Sequence, residues 1–237
     1  MNILKSALYT FSKSLFPKRC ELCGEVIELN QSLCSQCKNP PVIKAPICEY
    51  CGVEKSECCC KKHKNEYKQI VAPYYYRDSV VTAIHRFKNN DMPFLVNRLG
   101  NDMYHCISEN YSDIIFDAVT YVPLRDFHER VRGFNQSKLL AESIAEKMNL
   151  PVLPMLKKIR YTGVQHKKSA KERIADTFGS YDVSDEYKNK LDGINILLID
   201  DVKTTGATLN ECAKMLKIYG AKRVYCAAAA ITNHKRQ

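Results

Sequence analysis

The stretch Ile196-Leu197-Leu198-Ile199-Asp200-Asp201 constrains the fold more than any other part of the chain. Neighbouring residues of a strand point to opposite faces, so four successive large apolar side chains mark a strand buried on both sides. That is the situation of a central strand in a parallel sheet covered by helices. Lys203-Thr204-Thr205-Gly206-Ala207-Thr208 follows, small or hydroxylated after its lysine, and Leu209, Cys212, Ala213 and Leu216 then share one helical face. Gly220 stops this helix and Val224 opens another strand. Further apolar runs at Ile114–Leu124, Val152–Ile159 and Val224–Ile231 alternate with helical segments near 136–149 and 207–219. Gln69–Tyr76 reads as a strand, and Val80, Val81, Ile84 and Phe87 as a short helical face ending near Asn89. The expectation is an α/β domain over 67–237, a parallel sheet with flanking helices, preceded by a small module over 1–66.

The loop after Asp201 has the chemistry of an anion cradle. Gly206 lets the backbone come close to a ligand, the unpaired amides of the first helical turn face the loop, and the threonine hydroxyls add donors. A nucleotide-binding loop of the Gly-Lys-Ser/Thr type is excluded, because that sequence is missing. Asp200 and Asp201 suit another part of the same ligand, since carboxylates accept hydrogen bonds from vicinal sugar hydroxyls. Phosphate and diol together describe a ribose 5-phosphate. Val122-Pro123-Leu124 ends another strand, and Arg125, His128, Arg130 and Arg132 follow it, so cations are expected at the same sheet edge, where guanidinium groups match phosphate geometry.

Nine of the twelve cysteines fall within residues 20–60. Cys20-x-x-Cys23 and Cys34-x-x-Cys37 supply four thiolates as two close pairs, the spacing of a structural tetrahedral zinc site, and Gly24 fits the tight turn of such a knuckle. A second set follows in Cys48, Cys51 and the run Cys58-Cys59-Cys60 with His63. Its second pair is open between Cys58 with Cys60 and Cys60 with His63. Four protein ligands leave no position for water, so neither zinc is expected to be catalytic. Cysteine used for metal points to a reducing cytoplasm. The first sixteen residues lack the apolar block of a signal peptide, and Leu4, Leu8, Phe11 and Leu15 instead fall at helical spacing. No stretch approaches a membrane span, so no membrane insertion is expected.

Asp200–Thr208 closely resembles the phosphoribosyl pyrophosphate motif of type I phosphoribosyltransferases. Leu15-Phe16-Pro17, Val122-Pro123-Leu124, Arg132-Gly133-Phe134-Asn135-Gln136, and Arg160 with Thr162 and Gln165 extend the likeness to the ComF proteins of bacterial competence, also called ComFC or GntX. This resemblance implies that Asp200 and Asp201 hold ribose hydroxyls, that Lys203, Thr204, Thr205, Gly206, Ala207 and Thr208 surround the 5-phosphate, and that Leu124 and Arg125 meet pyrophosphate. Mg2+ is expected to bridge pyrophosphate and sugar oxygens. The basic segment Lys157–Arg173 resembles the mobile hood of that fold, although Lys168 stands where relatives often carry leucine and Asp176 where they often carry asparagine.

The formal charge of +10 favours polyanionic partners. Arg132, Arg160, Lys167, Lys168, Lys171 and Arg173 are the candidates for single-stranded DNA, with Tyr161 available for base stacking. The family implies a role in DNA uptake during natural transformation, with the DNA-uptake helicase or processing proteins as partners. The fold alone implies the alternative of a phosphoribosyltransferase in nucleotide or cofactor metabolism. No acceptor-binding residues are recognisable in the sequence.

Overall fold

The computed structural model describes residues 17–60, 65–89, 95–124, 133–159 and 179–233. The segment containing the expected N-terminal helix, His63, and most of the basic segment that includes Arg160–Arg173 lie outside them.

Strand β6 (Asn195–Lys203) forms the axis of the domain. It runs parallel to β7 (Arg223–Ile231) on one side and to β3 (Ala118–Tyr121) on the other. Beyond β7 lie the short parallel strands β1 (Gln69–Val71) and β2 (Tyr74–Tyr75). The order is β1-β7-β6-β3, with β2 also paired to β7. Gln69–Tyr76 is thus two strands, separated at Ala72-Pro73, rather than the single strand its composition suggests.

Both sheet faces are buried, as the apolar run of β6 requires. Leu197 and Ile199 face α1 (Asp78–Lys88), α2 (Leu95–Asn110) and α3 (Gln136–Met148), together with the first cysteine cluster. Ile196 and Leu198 face α4 (Ala207–Ile218), which packs through Leu209, Cys212, Ala213 and Leu216. Helix α2 is absent from the sequence expectation, and its stripe of Leu95, Leu99, Met103 and Ile107 is fully buried. The run 152–159 also behaves differently from expectation. β4 (Leu156–Lys158) pairs antiparallel with β5 (Tyr181–Val183) as a separate ribbon, and the run meets the main sheet through Val152 and Leu153, at Val119 and Thr120 of β3.

Irregular chain covers both edges of the sheet. Residues 41–43 lie against β2, with an antiparallel Val42–Tyr74 bridge, Tyr75 N donating to Pro41 O at 2.8 Å and Ile43 N to Pro73 O at 2.9 Å. Across the sheet, Val119 N donates to Pro151 O and Leu153 N to Val119 O, both at 2.9 Å.

The cysteine module is packed into the same cores. Leu22 and Cys20 are fully buried beside α1 and α2, Arg86 of α1 donates to Cys23 O, and Arg98 of α2 reaches Glu21 at 3.2 Å. On the other face Ile43 and Val53 join the α4 core. Gly52, at φ +79°, sits so close to the sheet that a Cβ there would lie 2.4 Å from Ile231 Cδ1.

Candidate functional site

Strand β6 runs through the two acids to Lys203, so Asp200 and Asp201 stand on a rigid element and the loop proper begins at Thr204. Being neighbours on a strand, the two carboxylates diverge and acquire different surroundings. Asp200 is 8% exposed, and its Oδ1 accepts from Ser137 Oγ at 3.1 Å and from Asp201 N at 2.8 Å. Burial, reinforced by the neighbouring Asp201 charge, pushes its carboxyl up to about 7. Asp201 is paired instead with Lys88 Nζ at 2.8 Å. Burial alone lowers the Lys88 ammonium, but Asp201 more than offsets it and the net direction is upward.

Two helices set these partners. α1 ends at Lys88, and α3 begins beneath Asp200 with Asn135 as its N-cap, accepting from Ser137 N at 3.0 Å and Lys138 N at 3.3 Å. Asn135 Nδ2 donates to Val122 O at 3.1 Å, which ties the segment ending at Leu124 to the same helix terminus. Gln136 Nε2 reaches Lys88 O at 3.3 Å and closes the ring of contacts. Lys88 and Ser137 carry no motif in the sequence. Only the packing of α1 and α3 on one face brings them to the acids.

The loop Thr204-Thr205-Gly206 turns the chain from β6 into α4. Gly206 is left-handed at φ +82°, Thr205 Oγ1 accepts from Ala207 N at 3.3 Å, and Asn210 N closes the first turn on Gly206 O at 2.9 Å. The N-terminal amides of α4 thus face the loop beside Asp200 and Asp201, the arrangement suited to an oxyanion next to a diol. Lys203 is buried at 6% exposure, and burial lowers its ammonium. Its Cε lies 3.1 Å from where a Cβ on Gly206 would stand, beneath the loop. Arg125 and Arg132 fall outside the described residues, as do Arg160, Lys167, Lys168, Lys171 and Arg173.

The cysteines form two four-sulfur clusters, Cys20, Cys23, Cys34 and Cys37, and Cys48, Cys51, Cys58 and Cys60, with all ligand atoms of each set within 4.8 Å of one another. Four sulfurs about 2.3 Å from one ion in a tetrahedron lie about 3.8 Å apart. Cys23–Cys34 at 3.5 Å, Cys48–Cys60 and Cys51–Cys58 at 3.6 Å and Cys58–Cys60 at 3.2 Å are near that spacing, and both sets fit zinc. Among the described residues the second pair of the second set is Cys58 with Cys60, Cys59 is exposed, and His63 lies outside them. Both knuckles use one turn, with Gly24 N donating to Cys20 O at 2.9 Å and Gly52 N to Cys48 O at 2.8 Å. No disulfide joins the described cysteines, and no described helix is long and apolar enough to cross a membrane.

Residues 135–237 match the phosphoribosyl transferase domain, and residues 11–67 match the double zinc ribbon domain. The chain is similar to competence protein F of Haemophilus influenzae, at 28% identity over 221 residues, covering 89% of this chain and 96% of the relative. Competence protein ComFC of Bacillus subtilis is 28% identical over 200 residues, covering 84% and 78%. The DNA utilization protein YhgH of Escherichia coli is 24% identical over 219 residues, covering 88% and 94%.

Proposed function

We infer, for a chain that belongs to the ComF family and joins a double zinc ribbon to a phosphoribosyltransferase domain, that it binds phosphoribosyl pyrophosphate or another ribose 5-phosphate and handles single-stranded DNA during uptake. The observation that carries the first part is the continuity of β6 with the loop. One rigid strand presents Asp200 and Asp201 and ends at Lys203, and the next five residues, Thr204–Thr208, present the hydroxyls and amides of the loop and of the first turn of α4. The acids take the ribose hydroxyls, and Thr204, Thr205 and the first turn of α4 take the 5-phosphate. Leu124 and Arg125 meet the pyrophosphate, and Mg2+, when bound with the ligand, would offset its negative charge. The two clusters hold zinc as structure, since each supplies four sulfurs and leaves no open position.

The nucleic-acid part rests on the net charge, the basic segment and relatives whose names refer to competence and DNA utilization. Arg132, Arg160, Lys167, Lys168, Lys171 and Arg173 are its proposed contacts. The proposed setting is the cytoplasm, with the uptake helicase or DNA-processing proteins nearby.

Titration calorimetry with phosphoribosyl pyrophosphate and Mg2+ tests the first part. Each carboxylate bond to a sugar hydroxyl is charge-assisted and worth about 1.5–3 kcal/mol, so Asp200→Asn with Asp201→Asn weakens binding by roughly two orders of magnitude or more. Thr205→Val leaves the backbone amides and has a smaller effect. Equal affinity in all three proteins rules the assignment out. Fluorescence anisotropy with a labelled oligonucleotide tests the second part. Affinity falls steeply with salt and drops when Lys167, Lys168 and Lys171 become glutamate. Absence of binding at low salt excludes it.

A further inference from the structure

The acid pair of the site already carries a cation supplied by the chain. Lys88 Nζ stands 2.8 Å from Asp201 Oδ2, and Asp201 Oδ1 accepts from Val202 N at 2.7 Å. On Asp200, Oδ1 accepts from Ser137 Oγ and from Asp201 N. Three of the four carboxylate oxygens are thus engaged by this chain's own donors. A carboxylate oxygen has more than one lone pair, so a sugar hydroxyl can still donate to either acid.

The fold fixes where Lys88 stands. It is the last residue of α1, where a cation lies favourably against the negative end of the helix dipole. Phe87 anchors that end, buried and with its ring 6.2 Å from that of Phe134, and Gln136 Nε2 donates to Lys88 O. The Lys88 side chain is 31% exposed and that of Asp201 14%, so the pair lies at the mouth of the site rather than beneath it. An ammonium has three donors that turn about its stem, and Asp201 takes one of them.

Ligand stereochemistry says what those donors meet. In an α-ribosyl 1-phosphate or 1-pyrophosphate, the anionic substituent on C1 shares a face of the ring with the sugar hydroxyls. A cation bonded to the carboxylate that takes the diol is therefore next to the C1 anion as well. The acids are also poorly suited to hold a divalent ion directly. Mg2+ ordinarily combines one or two carboxylates with ligand phosphate oxygens. Here Asp201 is already neutralised by an ammonium, and Asp200 is buried with its carboxyl pushed up to about 7.

We propose that Lys88 is a built-in cation of the ligand site and a specificity-determining residue. Held on Asp201, it offers its remaining N–H donors to the anionic group on C1, selects 1-phosphorylated ribose 5-phosphates over ribose 5-phosphate itself, and lets them bind without a divalent ion. This rests on the reading of the loop given under Proposed function. Ribose 5-phosphate separates the two, because it uses the loop and the acids but has no anion on C1.

Titration calorimetry on the zinc-loaded full-length protein tests it, in buffer cleared of divalent ions on a chelating resin before protein is added, and again with Mg2+. The probes are phosphoribosyl pyrophosphate and ribose 5-phosphate, on wild type, Lys88→Met and Lys88→Arg. Wild type binds phosphoribosyl pyrophosphate about tenfold or more tightly than ribose 5-phosphate, and Mg2+ changes that affinity by about threefold or less. Lys88→Met keeps the apolar stem but loses a charge-assisted hydrogen bond, so without Mg2+ phosphoribosyl pyrophosphate weakens about tenfold or more, and Mg2+ restores most of it. Ribose 5-phosphate binds this variant within about twofold of wild type, since Asp201 still accepts its hydroxyl, and Lys88→Arg behaves as wild type. Two results overturn the proposal and leave the loop reading intact. In one, wild type binds ribose 5-phosphate but takes phosphoribosyl pyrophosphate only with Mg2+. In the other, Lys88→Met weakens both ligands equally, as expected of a residue that merely holds Asp201 in place. If neither ligand binds wild type with or without Mg2+, the loop reading fails and the proposal falls with it. Circular dichroism checks the variants, and the Mg2+ dependence of wild type decides alone should Lys88→Met not fold.

Discussion

Asp200→Asn should make the protein more stable while impairing its ligand site. The folded state holds the Asp200 carboxyl at about 7 against an ordinary 3.8, because the group is buried and sits beside Asp201. The folded protein therefore binds a proton more tightly than the unfolded chain between those values. Stability from this group is fully present below about pH 4 and is lost as pH rises to about 7. At about 1.4 kcal/mol per pH unit the ceiling on that loss is about 4 kcal/mol. The side chain and its surroundings relax, so we expect about half of it, ~2 kcal/mol, to be recovered by an uncharged amide. Asn keeps an oxygen to accept from Ser137 Oγ and Asp201 N. For a chain of this size the gain corresponds to a rise in Tm of roughly 4–8 °C at pH 8. At pH 6 about a third of the loss has yet to accrue, so the gap narrows by about a third. Asp201→Asn acts in the opposite direction, because it strands Lys88, whose side chain is 31% exposed, without its partner. Thermal melts of the three zinc-loaded proteins at pH 6 and pH 8 decide. A variant at Asp200 that melts at or below wild type at pH 8, or a gap that does not change with pH, refutes the reasoning.

Metal analysis should give about two zinc ions per chain, and the two neighbouring cysteines should separate cleanly: Cys60→Ser loses one ion, whereas Cys59→Ser, at an exposed position, keeps both. Equal zinc content in these two variants would falsify the ligand assignment. Gly52→Ala places a methyl 2.4 Å from Ile231 Cδ1 at a left-handed φ of +79°, so it lowers stability by about 2–3 kcal/mol, read as a drop in Tm. An unchanged melt would mean that the ribbon does not dock on the sheet as described.

The axis of the fold was readable because each of its signals is local. An apolar tetrad on β6, a hydroxylated loop and the stripe Leu209, Cys212, Ala213, Leu216 are contiguous in the chain. Helix α2 leaves a weak signal in the sequence because its stripe is narrow, with Leu95, Leu99, Met103 and Ile107 separated by Asn97, Arg98, Asn101 and Asp102. The apolar composition of Val152–Ile159 marks an extended segment without naming its partner, so the sequence alone points to the main sheet. Lys157 and Lys158 fit a ribbon that is part solvated. The environments of Asp200 and Asp201 were not legible at all. Ser137 lies 63 residues from Asp200, and only the packing of α1 and α3 distinguishes a carboxyl that is buried from one that is ion-paired. A cavity beside Lys203 is hidden for the same reason, since its walls come from 50–60, 65–67, 203–205 and 232–233.

The strip at 41–43 has a consequence for how the protein behaves in concentrated solution. It occupies the hydrogen-bonding edge of β2, and it lies between Cys37 of one cluster and Cys48 of the next, so its position is set by metal at both ends. An uncovered strand edge is a template for pairing with another chain. Removing zinc therefore does more than loosen a small module, because it frees the cover from a sheet edge whose strands are apolar. Chelation is then expected to show first as light scattering that grows with protein concentration, at temperatures where the sheet itself is still folded.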